Sequence, residues 1–153
     1  MAKNILRWIG VIPLGMIVFI VTKIVYDWSF SHVIPEVIYE VSATRDFSGH
    51  YILGPIYIIS KELIATFLAI ITACQLAPFY KQKVFFGLIA LWLLVLFATV
   101  FMAGIIFEHN GIDNPEKIIR TLLEMASQGL GFVYSFKLGK DDNWTFSFPP
   151  RNN

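Results

Sequence analysis

Two adjacent side chains of opposite charge, Lys61 and Glu62, lie inside the apolar segment Pro55–Tyr80. A charged side chain inside a membrane span is costly unless it faces protein or water and finds a partner. Such a pair can hold helices together, line a path for protons or ions, or supply an acid and a base for chemistry. In each case the pair needs polar partners at the same depth on other helices.

A second polar series occurs in the segment 115–136, where Lys117, Arg120, Glu124 and Gln128 follow at steps of three or four and so share one helix face. At about 1.5 Å per residue from Pro115, Arg120 lies roughly 7–8 Å deep, and Glu62 lies roughly 10 Å from Pro55. We expect these charges to meet in one layer, with Glu62 near Arg120 and Lys61 near Glu124, or with Lys61 extended to the outer headgroups. The predicted intramembrane charge cluster comprises Lys61, Glu62, Arg120, Glu124 and Gln128.

The sequence carries no GxGxxG, Walker or HExxH motif and no Ser/His/Asp set. Its basic residues form no stripe for nucleic acid, the spacing of its three histidines is a weak metal signal, and its single cysteine, Cys74, permits no intramolecular disulfide. We predict no catalytic residue, no cofactor and no metal site. An intramembrane enzyme using Glu62 or Glu124 as acid and base is a less favoured alternative.

The elements that must position these charges are membrane helices. Hydrophobic residues make up 56% of the chain and charged residues 15%, whereas soluble domains have about 45–50% and about 25%. We predict an all-α membrane protein: a four-transmembrane-helix bundle over residues 1–140, followed by a tail at 141–153. The predicted spans are about 5–26, 55–80, 84–107 and 115–136, the first being a retained signal anchor and the last beginning at Asn114-Pro115.

One alternative fold has three spans, an amphipathic helix and a C-terminal β-hairpin. In it the segments "FVYSFKL" and "WTFSF", which alternate apolar and polar residues, pair as strands around "GKDDN". In both alternatives the segment Pro35–Ala43 is predicted as a short helix on the outer membrane surface.

The basic residues indicate the orientation. With four spans and a cytoplasmic N-terminus, the short loop "YKQK" also faces the cytoplasm, as the positive-inside rule favours. The basic residues on that side are Lys3, Arg7, Lys81, Lys83, Lys137, Lys140 and Arg151. We predict a multi-pass protein of a bacterial-type inner membrane with both termini cytoplasmic.

The tail is rich in aromatic residues for a solvated segment. Trp144, Phe146 and Phe148 are predicted to dock on a partner or on the protein itself. The alternatives are that they lie on the bilayer surface or form the second strand of the hairpin. The predicted function is a non-catalytic subunit or oligomeric binding protein that acts by helix packing. Its partners would be the lipid bilayer, further copies or other membrane subunits, and no nucleic acid. The alternative is a small ion or proton conduit, or a pore-forming effector, whose stripe of Arg120, Glu124 and Gln128 lines a water path.

Overall fold

Long helices account for most of the chain. A computed structural model describes residues 2–35, 52–110, 115–141 and 143–144. Its helices are α1 (Ala2–Ser31), α2 (Leu53–Leu76), α3 (Lys81–Asn110) and α4 (Pro115–Asp141). Each extends to or beyond the predicted span except α2, which ends earlier.

The prolines explain two of these boundaries. Ala77, which follows α2, has an extended backbone (φ −61°, ψ 123°), as expected for a residue that precedes a proline. Pro115 is the first residue of α4, where the missing N–H costs nothing. Pro13 lies inside α1, so one backbone hydrogen bond is missing early in that helix.

The β-hairpin alternative is wrong. Residues 132–138, its first predicted strand, belong to α4, and the described part of the chain contains no strand. An alternating segment can also place residues four apart on one helix face. Phe132 and Phe136 do so here, and both rings pack against Phe85 of α3. The second predicted strand, beyond Trp144, lies outside the described residues, as does the outer helix predicted at Pro35–Ala43 after its first residue.

Three of the helices are long and apolar enough to cross a membrane: Arg7–Ser31, Leu53–Leu76 and Lys81–Met102. The prediction of an all-helical membrane protein is confirmed in this form. α4 is more polar and does not belong to this set. The candidate span in α2 is 50% buried within the protein, against 11% for α1 and 6% for α3, so α2 is the centre of the bundle.

The contacts along α2 give the helix directions. Val11, near the start of α1, packs with Ala73 and Ala77 at the end of α2, whereas Tyr26 packs with Tyr57 near the start of α2. The helices α1 and α2 are therefore antiparallel.

The helices α2 and α4 run in the same direction. Leu123, early in α4, packs on the cluster of Tyr57 and Ile58, and Phe132, later in α4, packs on the cluster that contains Ile70. This shared direction allows residues of the two helices to be compared by depth.

Candidate functional site

Two crossed ion pairs join α1 to α2. The Lys23 Nζ lies 2.5 Å from Glu62 Oε1, and the Lys61 Nζ lies 3.1 Å from Asp27 Oδ1. Lys23 and Asp27 are four residues apart and so lie on one face of α1. That face presents a cation and an anion to the adjacent anion and cation of α2, so the four side chains have no net charge.

The charges of α2 are the buried ones. The side chain of Glu62 is 1% exposed and that of Lys61 is 7% exposed, whereas Lys23 and Asp27 are 31% and 39% exposed. The Tyr57 hydroxyl donates a hydrogen bond to Asp27, and the Lys61 ammonium lies 4.7 Å from the centre of the Tyr57 ring. Tyr57 thus supports both members of the Lys61–Asp27 pair.

A hydrogen-bonded chain extends from Glu62 to the other two helices. Gln128 Nε2 of α4 donates to Glu62 Oε2 (2.9 Å), and Trp92 Nε1 of α3 donates to Gln128 Oε1 (2.9 Å). The contact of Lys23 with Oε1 is an ion pair without hydrogen-bond alignment. We call Lys23, Glu62, Gln128 and Trp92 the Glu62 network. Each of the four helices contributes one of its members.

The predicted partners within the charge cluster were wrong. Glu62 pairs with Lys23 and Gln128 instead of Arg120, and Lys61 pairs with Asp27 instead of Glu124. Arg120 Nε donates to Glu124 Oε1 (2.8 Å), four residues along the same helix. Of the predicted cluster, the structure joins Glu62 to Gln128 and Arg120 to Glu124.

Lys23 and Asp27 were not among the residues predicted for the charge cluster. Both lie at the end of the first predicted span, where a charge is easily assigned to the membrane surface. The available signal was their spacing: opposite charges at i and i+4 on an apolar helix mark one polar face. α1 extends to Ser31, which places both residues inside the helix and beside the charged pair of α2.

The described part of the tail docks on the bundle. The Trp144 ring lies 5.3 Å from the Phe85 ring and 5.7 Å from the Phe136 ring, between centroids. The backbone N–H of Trp144 donates to the Gly139 carbonyl (2.6 Å), and the φ of Trp144 is 61°, a conformation uncommon for a bulky residue. The chain therefore turns at the end of α4, and Trp144 covers the start of α3. Phe146 and Phe148 lie outside the described residues.

The chemistry available to this arrangement is charge neutralisation. A buried ion pair also needs hydrogen bonds to its remaining polar atoms. Glu62 accepts one from Gln128 at Oε2, and the Lys23 ammonium neutralises its charge beside Oε1, which accepts no hydrogen bond among the described residues. Among the described residues, no three His, Cys, Asp or Glu side chains converge on one point where they could hold a metal ion. Cys74 is buried against Ile70, Ile71 and Phe85.

No protein-family model, no curated protein and no solved structure matches this chain. What the chain does must be inferred from its own residues and their contacts.

Proposed function

We propose that this chain is a small polytopic membrane protein that acts without catalysis, by helix packing, as a subunit or an oligomeric binding protein. The observation that carries the proposal is the Glu62 network, which uses one polar side chain from each helix to hold the bundle together. Its polar groups bond to one another, which suits a scaffold better than a reaction centre.

The outward faces of α1 and α3 support an interaction role. Large apolar side chains cover them, including Ile9 and Ile24 on α1 and Leu94, Phe97 and Phe101 on α3. In a bilayer these faces contact lipid or the helices of other subunits, because lipid tails and leucine side chains are equally apolar. We infer that further copies of this chain, or other membrane subunits, pack there.

We further propose that α4 also crosses the membrane, which gives four spans with both termini on the cytoplasmic side of an inner membrane. α4 has 27 residues and is therefore about 40 Å long, enough to span a bilayer. Its polar side chains Gln128 and Glu124 have partners within the protein, which lowers the cost of inserting them. Residues 1–140 would form the bundle and 141–153 a cytoplasmic tail.

A conduit whose stripe of Arg120, Glu124 and Gln128 lines water is the alternative. The amide of Gln128 already bonds Glu62 and Trp92, and Arg120 bonds Glu124, so packing is the better supported use of these groups. Ion flux into liposomes that stops on Glu124→Leu would favour the conduit.

The deciding experiment is the mass of the purified protein in mild detergent by light scattering, with the detergent contribution subtracted. An oligomer is expected to have a protein mass of two or more times 17.4 kDa, and a subunit of a larger complex is expected to elute together with other polypeptides. A lone monomer at all concentrations would overturn the proposal.

The position of the C-terminus is tested by labelling. Asn153→Cys in a Cys74→Ala background is expected to react with an impermeant maleimide only after the membrane is opened. Labelling from outside the intact cell would refute the cytoplasmic tail.

A further inference from the structure

A surface at one end of the bundle combines aromatic rings of α3 and α4. The Phe86 ring, near the start of α3, lies 6.4 Å from the Phe136 ring, near the end of α4, between centroids. The Trp144 ring lies 6.4 Å from Phe86 and 5.7 Å from Phe136. Further along α3, Trp92 bonds Gln128, an earlier residue of α4, so the two helices are antiparallel. Phe86 and Phe136 are exposed, so the rings form an apolar surface that faces outward.

An exposed lysine lies beyond the ring on each of these helices. Lys83 precedes Phe86 by three residues, and Lys140 follows Phe136 by four. Each lysine therefore shares a helix face with its ring. Because the helices are antiparallel, both lysines lie toward the same end of the bundle, about 4–6 Å beyond the rings. We call Lys83, Phe86, Phe136 and Lys140 the lysine–aromatic surface.

Positive charge predominates at this end of the bundle. Among the side chains that the structure describes there, Asp141 is acidic, and the basic ones are Arg7, Lys81, Lys83, Lys137 and Lys140. Neither Lys83 nor Lys140 forms an ion pair with a described residue. The Lys83 Nζ lies 4.7 Å from the centre of the Tyr80 ring. This contact holds the ammonium group in place and leaves it N–H groups that can donate to an anion.

The order of charge and ring along the helix selects the partner. The candidate span in α3 begins at Lys81, so Lys83 lies about 3 Å from its start and Phe86 about 7–8 Å. A phospholipid has the same order, with its phosphate at the membrane surface and its hydrocarbon below. An acidic protein in the aqueous phase would reach the lysines but would not reach the rings.

We propose that the lysine–aromatic surface binds an anionic phospholipid. Its phosphate lies between Lys83 and Lys140, and one acyl chain lies along Phe86 and Phe136. Basic pockets between membrane helices bind anionic headgroups in this way. The site follows from the contacts of α3 with α4 and does not depend on the subunit role proposed above.

The test uses the full chain in mild detergent and native mass spectrometry, which counts the lipids bound to each protein. Equal amounts of dioleoyl phosphatidylglycerol and dioleoyl phosphatidylcholine are added. Both lipids have a phosphate and the same acyl chains, but only phosphatidylglycerol has a net negative charge. We expect the first bound lipid to be phosphatidylglycerol. No preference between the two lipids in the unmodified protein would overturn the proposal.

Substitutions locate the site. Lys83→Gln and Lys140→Gln should each weaken phosphatidylglycerol binding about fivefold, the usual contribution of one lysine near a membrane surface. Lys83→Arg should keep the binding. Arg7→Gln removes the same charge from α1, outside the lysine–aromatic surface, and should change the binding less than about twofold. An equal loss in Arg7→Gln and in both lysine variants would show a diffuse charge effect and would overturn the site.

Competition identifies the source of the phosphate. Glycerophosphoglycerol, the same headgroup without acyl chains, should not displace the bound lipid at equal concentration. Equal displacement would show that the rings take no part and would overturn the assignment to a lipid. Displacement by a glutamate decapeptide at that concentration would instead assign the surface to an acidic protein. Far-ultraviolet circular dichroism verifies the helix content of each variant, and Lys140→Gln carries the test if Lys83→Gln does not fold.

Discussion

Replacement of Lys23 by Met should destabilise the bundle strongly, because it leaves the Glu62 carboxylate buried with Gln128 as its remaining partner. Removing one member of a buried ion pair typically costs about 3–5 kcal/mol. We expect a loss in this range at neutral pH.

The other crossed pair provides a matched comparison. Lys61→Met also removes a cation, but the anion it leaves behind, Asp27, is 39% exposed and accepts a hydrogen bond from Tyr57. The loss should be about 0–1 kcal/mol, because the carboxylate that remains is partly solvated and keeps a hydrogen bond. Both substitutions replace Lys by Met. The difference between the two losses in free energy of unfolding therefore measures how strongly the burial of the remaining anion decides that loss.

The measurement is the free energy of unfolding in detergent micelles, by titration with sodium dodecyl sulfate and far-ultraviolet circular dichroism. The double variant Lys23→Met with Glu62→Gln should regain most of the lost stability, because no unpaired charge is left at position 62 and the new amide can still accept from Gln128. Equal losses for Lys23→Met and Lys61→Met, or a double variant no more stable than Lys23→Met, would refute the reasoning.

Three further predictions concern helix contacts and the tail. Gly131→Ala should cost about 1–3 kcal/mol, because its β-carbon would meet the Thr66 Cβ at 2.9 Å. Gly129→Ala, whose β-carbon would lie 3.5 Å from the Trp92 ring, should instead stabilise α4 by about 0.5–1 kcal/mol; the same unfolding titration distinguishes the two, and equal effects would contradict the close approach at Gly131. Trp92→Phe removes the donor to Gln128 and should cost about 0.5–1.5 kcal/mol, whereas an unchanged midpoint would show that this bond is not made. Replacing Trp144 and the other two tail aromatics by Ser should reduce the mass of the assembly in detergent if the tail joins subunits, and an unchanged mass would assign Trp144 to its own bundle alone.

Much of the fold was predictable because the apolar runs are long. A run of about 20 apolar residues has few options other than a membrane helix, and Pro115 marks the start of α4 as proline does at the first helical position. The order of the segments also predicted that α2 and α4 run in the same direction. The segment 132–138 was ambiguous, since seven alternating residues fit a strand or one face of a helix equally well.

The partners within the charge cluster were not predictable from depth alone. Counting residues gives the height of a charge in a helix, but the direction in which it points depends on the rotation of that helix about its axis. Adjacent residues point about 100° apart, so Lys61 and Glu62 could face several neighbours. α1 supplies a cation and an anion on one face, and that match selects the pairs.

The amino-acid sequence by itself determined that this chain is helical and membrane-associated, and that Lys61, Glu62 and Gln128 lie within its helices, because hydrophobicity and helical period are local properties. Only the tertiary structure decided that Glu62 pairs with Lys23 and accepts from Gln128, that Arg120 donates to Glu124, and that Gly131 of α4 lies close to Thr66 of α2. These outcomes depend on the rotation and separation of helices distant in sequence, which are set by the packing of all side chains together.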